Sequence, residues 1–311
     1  NLKYSFLLIG GPTASKKTEL AIHIASKIPA VIINADSMQF YKDFKILNNR
    51  PNSNQLKKNE FKLFGNIQIP NFPNLGWWNK IIEEEISNTI KRNKLPIIVG
   101  GTGLYLSALE KKPSFVPKIK VSVKQEIEKL HEKFGLDFLY KKLKDCDQYS
   151  YNTLNQNDTY RILRALEVKK STGKTLRFWQ EKNRDEKTDD KKKYYYIVLT
   201  PDKRDLYKQI NLRFMEMIKK GVIKEVEIFK KKNVSQNHPI YKMIGLKYLV
   251  NYLDKKITLE EAILLSQRDT RRYAKRQITW FKNQTVNSNR LSFNDATKFF
   301  SLSTCKNYFL F

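Results

Sequence analysis

The sequence has 311 residues, with 59 Lys+Arg against 31 Asp+Glu and a formal charge of +28. Its longest apolar runs, such as Phe6-Leu7-Leu8-Ile9, fall far short of the roughly 20 residues a spanning helix needs, and 41% hydrophobic with 12% aromatic residues exclude wholesale disorder. Such a field favours an anionic partner (nucleic acid, nucleotide or anionic surface), but Lys supplies most of it in a chain also rich in Asn, Ile, Phe and Tyr, so the 13 Arg are the sharper probe.

Two cysteines (Cys146, Cys305) and three histidines without ligand spacing cannot build a structural zinc site, and they fit a reduced, cytoplasmic setting. The apolar stretch after Lys3 runs into Gly10-Gly11-Pro12, which is unlike a signal-peptide cleavage site.

In chain order, Tyr4 to Ile9 is a short apolar run ended by glycines and predicts a buried strand. Leu20, Ala21, Ile24, Ala25 and Ile28 recur at helical spacing and predict a helix from Thr18 to Ile28. Strands are expected at Val31 to Ile33, Phe61 to Ile67 and Pro96 to Val99, with a helix at Trp77 to Lys91. This alternation predicts a parallel sheet covered on both faces. After Lys111 the pattern changes. Pro113 and Pro117 mark a break, and helices are expected at Val121 to Lys133, Asp137 to Lys144 and Thr159 to Ser171. A charged stretch, Glu181 to Lys193, is expected as a mobile loop. Tyr194 to Leu199 reads as a strand, followed by helices at Arg204 to Lys219, Ile223 to Lys232 and Thr258 to Phe281. The expected architecture is an α/β, P-loop NTPase-like parallel sheet core, residues 1–114 and 194–311, with an all-helical insertion domain, 115–193.

Three strand ends carry chemistry. Between the first strand and helix stands Gly11-Pro12-Thr13-Ala14-Ser15-Lys16-Lys17-Thr18. It matches the phosphate-loop pattern at Gly11, Lys17 and Thr18, where backbone N–H groups and a lysine hold phosphate and the hydroxyl binds magnesium. Lys16 replaces the loop's second glycine, at a cost of about 1–2 kcal/mol if its φ is positive. After the second strand comes Asn34-Ala35-Asp36-Ser37-Met38-Gln39. Asp36 is open to three readings: magnesium ligand, general base or helix N-cap. After the Pro96 strand, Gly100-Gly101-Thr102-Gly103-Leu104-Tyr105 allows close backbone approach and offers the Thr102 hydroxyl to the same crevice.

Together these strings resemble the tRNA dimethylallyltransferases (tRNA isopentenyltransferases). Gly11-Pro12-Thr13-Ala14-Ser15 opens their loop; Asp36-Ser37 with Gln39 and Tyr41, and Gly100 to Tyr105, match their next two motifs. Asn157-Asp158, Arg161, Arg164-Ala165-Leu166-Glu167 and Ser171 to Lys174 continue the match. Arg213-Phe214 with Met217, Ile244-Gly245, and Lys275-Arg276-Gln277 with Thr279-Trp280-Phe281 complete it. The family's usual G-T-[AN]-K-P reads Leu47-Asn48-Asn49-Arg50-Pro51 here, and Gln209 stands where an arginine is often found.

The resemblance implies transfer of a dimethylallyl group from dimethylallyl diphosphate to the N6 amine of the adenosine just 3′ of a tRNA anticodon. It implies that Gly11 to Thr18 bind the diphosphate, with Mg2+ near Thr18. It implies that Asp36 takes the amine proton, that Thr102 helps position it, and that Arg213 clamps phosphate. The anticodon stem-loop would be met by Asp36 to Gln39 (Asp36, Ser37, Met38, Gln39), by Tyr160, Arg161, Ile162, Leu163 and Arg164, and by Lys242, Met243, Ile244, Gly245, Leu246 and Lys247. Arg268, Arg271, Arg272, Lys275, Arg276, Gln277, Ile278, Thr279, Trp280, Phe281 and Lys282 would extend that contact, the arginines forming an i, i+4 stripe and the aromatics offering stacking faces. A monomer is expected. Two rival readings remain at this point: a P-loop nucleoside or nucleotide kinase, which would bind ATP, and a noncatalytic tRNA-binding remnant.

Overall fold

The computed structural model describes residues 4–110, 116–182, 193–285 and 287–309. The chain divides into two compact units, Asn1–Glu110 with Lys191–Phe311, and Lys111–Asp190.

The first unit opens with β1 (Phe6–Gly10), α1 (Lys17–Ala25) and β2 (Ala30–Asn34). A 3-10 turn, Ser37–Phe40, then leads to α2 (Ser53–Lys58), β3 (Glu60–Lys62), α3 (Leu75–Lys91), β4 (Leu95–Val99) and α4 (Gly103–Glu110). Asn74 starts α3 by accepting the Trp77 N–H at 2.9 Å, an ordinary N-cap. The strand expected over Phe61 to Ile67 is shorter than its apolar run, because the backbone turns through positive φ at Leu63 and Gly65.

The second unit is helical: α5 (Val121–Cys146), α6 (Gln148–Thr153), α7 (Thr159–Thr172) and α8 (Leu176–Lys182). Gly135, at φ 77° and ψ 176°, breaks α5 where the sequence left a gap between two helices. Ile127, Leu139, Leu143, Ile162, Ala165 and Leu166 form its core. The break expected at Pro113, and the expected loop from residue 183 to 192, lie outside the described residues; Glu181 and Lys182 end α8.

The chain re-enters the first unit with β5 (Tyr194–Leu199), α9 (Lys203–Lys219), α10 (Val222–Lys230) and, after the 3-10 turn Pro239–Lys242, α11 (Leu246–Leu253). The long α12 (Leu259–Gln284) begins with a reciprocal cap between Thr258 and Glu261. Then follow β6 (Asn289–Leu291), α13 (Phe293–Phe299) and α14 (Leu302–Tyr308).

Among the described residues six strands form one parallel sheet, in the order β3-β2-β4-β1-β5-β6. Leu7, Ile9, Ile32, Ile97 and Ile197 face one core with α1, α13 and α14. Leu8, Val31, Ile33, Ile98 and Val198 face the other with α3, α9, α10 and α12. Burial of each such side chain contributes about 1.5–3 kcal/mol, so the strand ends are rigid mounts. Their register sets the site: Ile9 pairs with Val99, and Asn34 pairs with Val99. The carboxyl ends of β1, β2 and β4 are therefore level. The chain leaves β1 and β4 in opposite lateral directions, and ligands of open α/β sheets lie at such a switch point.

Candidate active site

The phosphate loop, residues 11–16, joins the carboxyl end of β1 to α1. Lys17 donates to the Pro12 carbonyl at 2.6 Å, drawing its ammonium over the loop. Burial lowers the Lys17 pKa to about 8, against the pull of Asp36, while Arg213 lowers it further. Lys16 caps α1 at φ 64° and ψ 30°, the left-handed geometry that the missing glycine would have occupied freely. Its ammonium lies 5.1 Å from the centroid of the Phe293 ring.

Of the readings expected for Asp36, the structure shows the cap. Its Oδ1 accepts the Met38 N–H at 3.0 Å and so caps the Ser37–Phe40 turn. Its other oxygen is on the Gly101 side, 3.6 Å from where a Gly101 Cβ would lie. Burial pushes this carboxyl above its usual value; the Met38 N–H, Lys17 and Arg213 pull the other way. The Thr102 hydroxyl accepts the Ser37 N–H at 3.2 Å, which braces the same turn from the β4 loop.

Arg213, from α9, donates to the Thr13 hydroxyl at 2.7 Å. Burial lowers its pKa, opposed by Glu19 and Asp36, but a guanidinium remains charged.

Two cavities meet at these groups. One, of about 690 Å³, runs along the loop from Thr13 to Thr18 and past Gly100, Arg50 and Gln209. The other, of about 400 Å³, is walled by Ser37, Met38, Leu47, Asn48, Phe214, Met243, Ile244 and Tyr273, with Lys242 and Arg276 at its edge. Thr13, Asp36 and Arg213 belong to both. Gly11 and Pro12 are buried beneath the loop, and Ser15 is buried with its hydroxyl unpartnered among the described residues.

Other expected residues stand elsewhere. Lys247, Lys275, Ile278, Thr279 and Lys282 are exposed, while Gly245 and Leu246 are buried. Arg268 and Arg272 share one carboxylate, Asp269, at 3.1 and 3.6 Å, and Arg271 donates to Asn211 at 2.7 Å. The stripe is thus partly neutralised within the protein. The stacking face expected of Phe281 is corrected: its ring is 2% exposed and packs under Gly10. Trp280 lies against Gly103, where a Cβ would come within 2.1 Å of its ring. Gln277 is turned inward, with Oε1 accepting the Thr13 N–H at 2.8 Å and Nε2 donating to the Gly101 carbonyl at 2.7 Å. Within the helical unit Tyr160 is 75% exposed, Arg161 and Arg164 are partnered by Asp158 and Glu167, Leu163 is half-buried, and Ile162 is core.

Sequence reasoning missed Tyr273 and Glu225. Tyr273 lines the smaller cavity, and burial raises its phenol well above the ordinary value. Glu225, on α10, accepts the N–H groups of Lys45, Ile46 and Leu47 at 2.5, 2.8 and 2.8 Å. It anchors the segment that walls both cavities. Its partners lie about 180 positions away, so no local pattern marks it.

A phosphate loop after β1 and an acid after β2, met at the strand ends of a parallel sheet by a guanidinium from α9, define a P-loop α/β protein. The IPP transferase family model matches residues 39–284, and an isopentenyl transferase model matches 4–69. A tRNA dimethylallyltransferase of Wolbachia pipientis wMel is 39% identical over 289 residues, 92% of this chain and 95% of that protein. The tRNA isopentenylpyrophosphate transferase of Bacillus halodurans has a similar structure, with a TM-score of 0.68, 26% identity and 98% of both chains covered. The corresponding transferase of Staphylococcus epidermidis gives 0.64 and 30%, covering 97% of this chain and 96% of that one. The chain belongs to the IPP transferase family. No helix among the described residues is long and apolar enough to cross a membrane.

Proposed function

We propose that this protein transfers the dimethylallyl group of dimethylallyl diphosphate to the N6 amine of the adenosine just 3′ of a tRNA anticodon, acting as a monomer. The meeting of two cavities at Asp36 and Arg213 carries this reading. Diphosphate takes the cavity of the phosphate loop, with Lys17, Arg213 and the loop N–H groups around it. The adenine enters the other, beside Met38 and Tyr273. Leu47, Phe214 and Met217 offer apolar wall for the prenyl tail near the junction.

In the transfer, the amine nitrogen forms a bond to the allylic carbon as the carbon–oxygen bond to diphosphate breaks. The electron pair of that bond leaves with the diphosphate, and the amine proton passes to the Asp36 carboxylate. Burial makes Asp36 a stronger base than an exposed carboxylate. Its Oδ1 is held by the turn it caps, so the carboxylate does not rotate freely. Lys17 and Arg213 offset the charge on the leaving group without rearrangement. Thr102 keeps the turn that carries Asp36 in place. The Thr18 hydroxyl is a hard oxygen donor on the wall of the diphosphate cavity, which suits Mg2+. When bound there, Mg2+ would offset charge on the diphosphate oxygens.

The test incubates the protein with Mg2+, labelled dimethylallyl diphosphate and unmodified tRNA. Label in tRNA is expected; ATP-dependent phosphorylation of a nucleoside in its place would make the protein a kinase. Asp36→Asn keeps an acceptor for the Met38 N–H but removes the base. Transfer should fall by at least 100-fold, the lower range of general-base effects, with tRNA affinity nearly unchanged.

A further inference from the structure

The buried face of α12 is unusually polar. Of its seven buried side chains, Ser266, Gln267, Thr270 and Gln277 carry hydrogen-bonding groups. The first three serve their own helix or the adjacent α9: Ser266 bonds the Ala262 carbonyl, Thr270 the Ser266 carbonyl, and Gln267 the Asn211 carbonyl. Gln277 does something different. Its carboxamide, in a residue 5% exposed, spans the loop after β1 and the loop after β4. The partners fix its orientation. Thr13 presents a donor and Gly101 an acceptor, so a flipped amide would meet both with the wrong group. The contact is tight, since a Cβ on Gly101 would lie 2.5 Å from Nε2. Thr13 in turn receives Arg213 on its hydroxyl. One amide thus sets the position of a residue that belongs to both cavities.

Within about a turn and a half of Gln277 the same helix exposes Arg272, Lys275 and Arg276, and Arg276 borders the smaller cavity. A helix is stiff over such a length. A ligand that holds its outer face would also hold the Gln277 backbone, from which the carboxamide reaches Thr13 and Gly101.

We propose that Gln277 is a positioning residue that couples RNA binding on α12 to diphosphate binding at the phosphate loop. This rests on the function proposed above and adds a regulation to it: each ligand raises the affinity of the other. By linkage the two factors must be equal.

The experiment is calorimetric titration of inorganic pyrophosphate with Mg2+ into the full chain, alone and saturated with an anticodon stem-loop RNA, and the reverse titration. In the unaltered protein the affinity ratio should be on the order of fivefold or more, typical of allosteric coupling, and equal in both directions. Gln277→Leu removes both arms at similar volume, and the ratio should fall to about one. Gln277→Glu keeps an acceptor for Thr13 but, ionised, loses the donor to Gly101, and an intermediate ratio is expected. It also serves if the leucine variant fails to fold. A purely structural glutamine would lower the melting temperature or both affinities while leaving the ratio intact; that result overturns the proposal. So does a ratio of one in the unaltered protein. Failure of the unaltered protein to bind the RNA at low salt would instead sink the function on which the coupling rests.

Discussion

Lys16 holds a left-handed backbone that glycine adopts without penalty. A non-glycine residue there gives up about 1–2 kcal/mol. Glycine in turn loses more unfolded-state freedom, roughly 0.5–1 kcal/mol relative to alanine. Replacing Lys16 by Gly also discards the contact with the Phe293 ring, about 0.5–1 kcal/mol at an exposed site. These terms nearly cancel, so Lys16→Gly alone decides little. Lys16→Ala is the needed reference: it discards the same contact and the same charge but keeps the strain. The difference between the two variants isolates the backbone. Gly should be the more stable by about 0.5–1 kcal/mol, an increase in melting temperature on the order of 1 °C for a chain of this size. Thermal melts followed by circular dichroism measure it. Equal or reversed melting temperatures would refute the claim that Lys16 strains the loop. Pyrophosphate titration of the same pair separates strain from charge. If the αL geometry already matches the loop that glycine would make, both variants lose affinity equally. Tighter binding by Gly than by Ala would show that the side chain spoils the nest.

The lowered Lys17 pKa sets a limit at alkaline pH. A lysine titrating at about 8 is charged below that pH and neutral above it, so pyrophosphate affinity should fall as pH rises past about 8, with proton uptake seen as buffer-dependent heat. Asp36 is raised, so the rate should climb with pH until its carboxyl has ionised, above the ordinary carboxylate range. The kcat/KM profile is then a bell, and a flat alkaline limb would contradict the Lys17 assignment. Glu225→Ala leaves three backbone donors without their acceptor. Each buried unpaired group costs about 1–3 kcal/mol; water reaches the Lys45 N–H, which leaves two, so a total loss of about 2–6 kcal/mol is expected in denaturation, with a higher KM and with Glu225→Gln milder in both. Arg276→Ala should weaken tRNA binding more than Arg268→Ala, because Asp269 already offsets Arg268. In filter binding at several salt concentrations, Arg276→Ala should also reduce the slope of log affinity against log salt by roughly 0.7–0.9. Equal effects of the two substitutions would show that the Asp269 pairing does not persist on RNA.

The first strand and helix were legible because their signals are local: an apolar run, a glycine turn, and Leu20, Ala21 and Ile24 on one face. The break at Gly135 was legible for the same reason. β6 was not, since three residues at a sheet edge, two of them exposed, leave no pattern. At the site, the residues that follow strands could be read, because strand ends are marked by glycine and small polar residues. Their supports could not. Gln277 meets Thr13 across 264 positions, and Glu225 meets Leu47 across 178. Sequence placed Gln277 on an RNA-facing helix, and the helix does present basic groups outward, but a glutamine at a buried position of the same helix looks no different in the string.

These supports explain where the site's rigidity comes from. The sheet fixes the points at which the three loops leave β1, β2 and β4, and nothing in a strand end dictates where Thr13, Leu47 or Gly101 must then lie. Each is held by a side chain from the second half of the first unit: Gln277 and Arg213 on Thr13, Gln277 on Gly101, Glu225 on Leu47. A helix that buries Gln277 in place of an apolar residue forgoes hydrophobic burial, and burying an amide is tolerable only when its donor and acceptor are both met. Both are met here, by backbone groups that would otherwise be free to move. If RNA binds the outer face of α12 as proposed, its binding energy need not be spent on ordering the loops around diphosphate. It can act through groups already in contact, which is the physical condition for one substrate to prepare the site for the other.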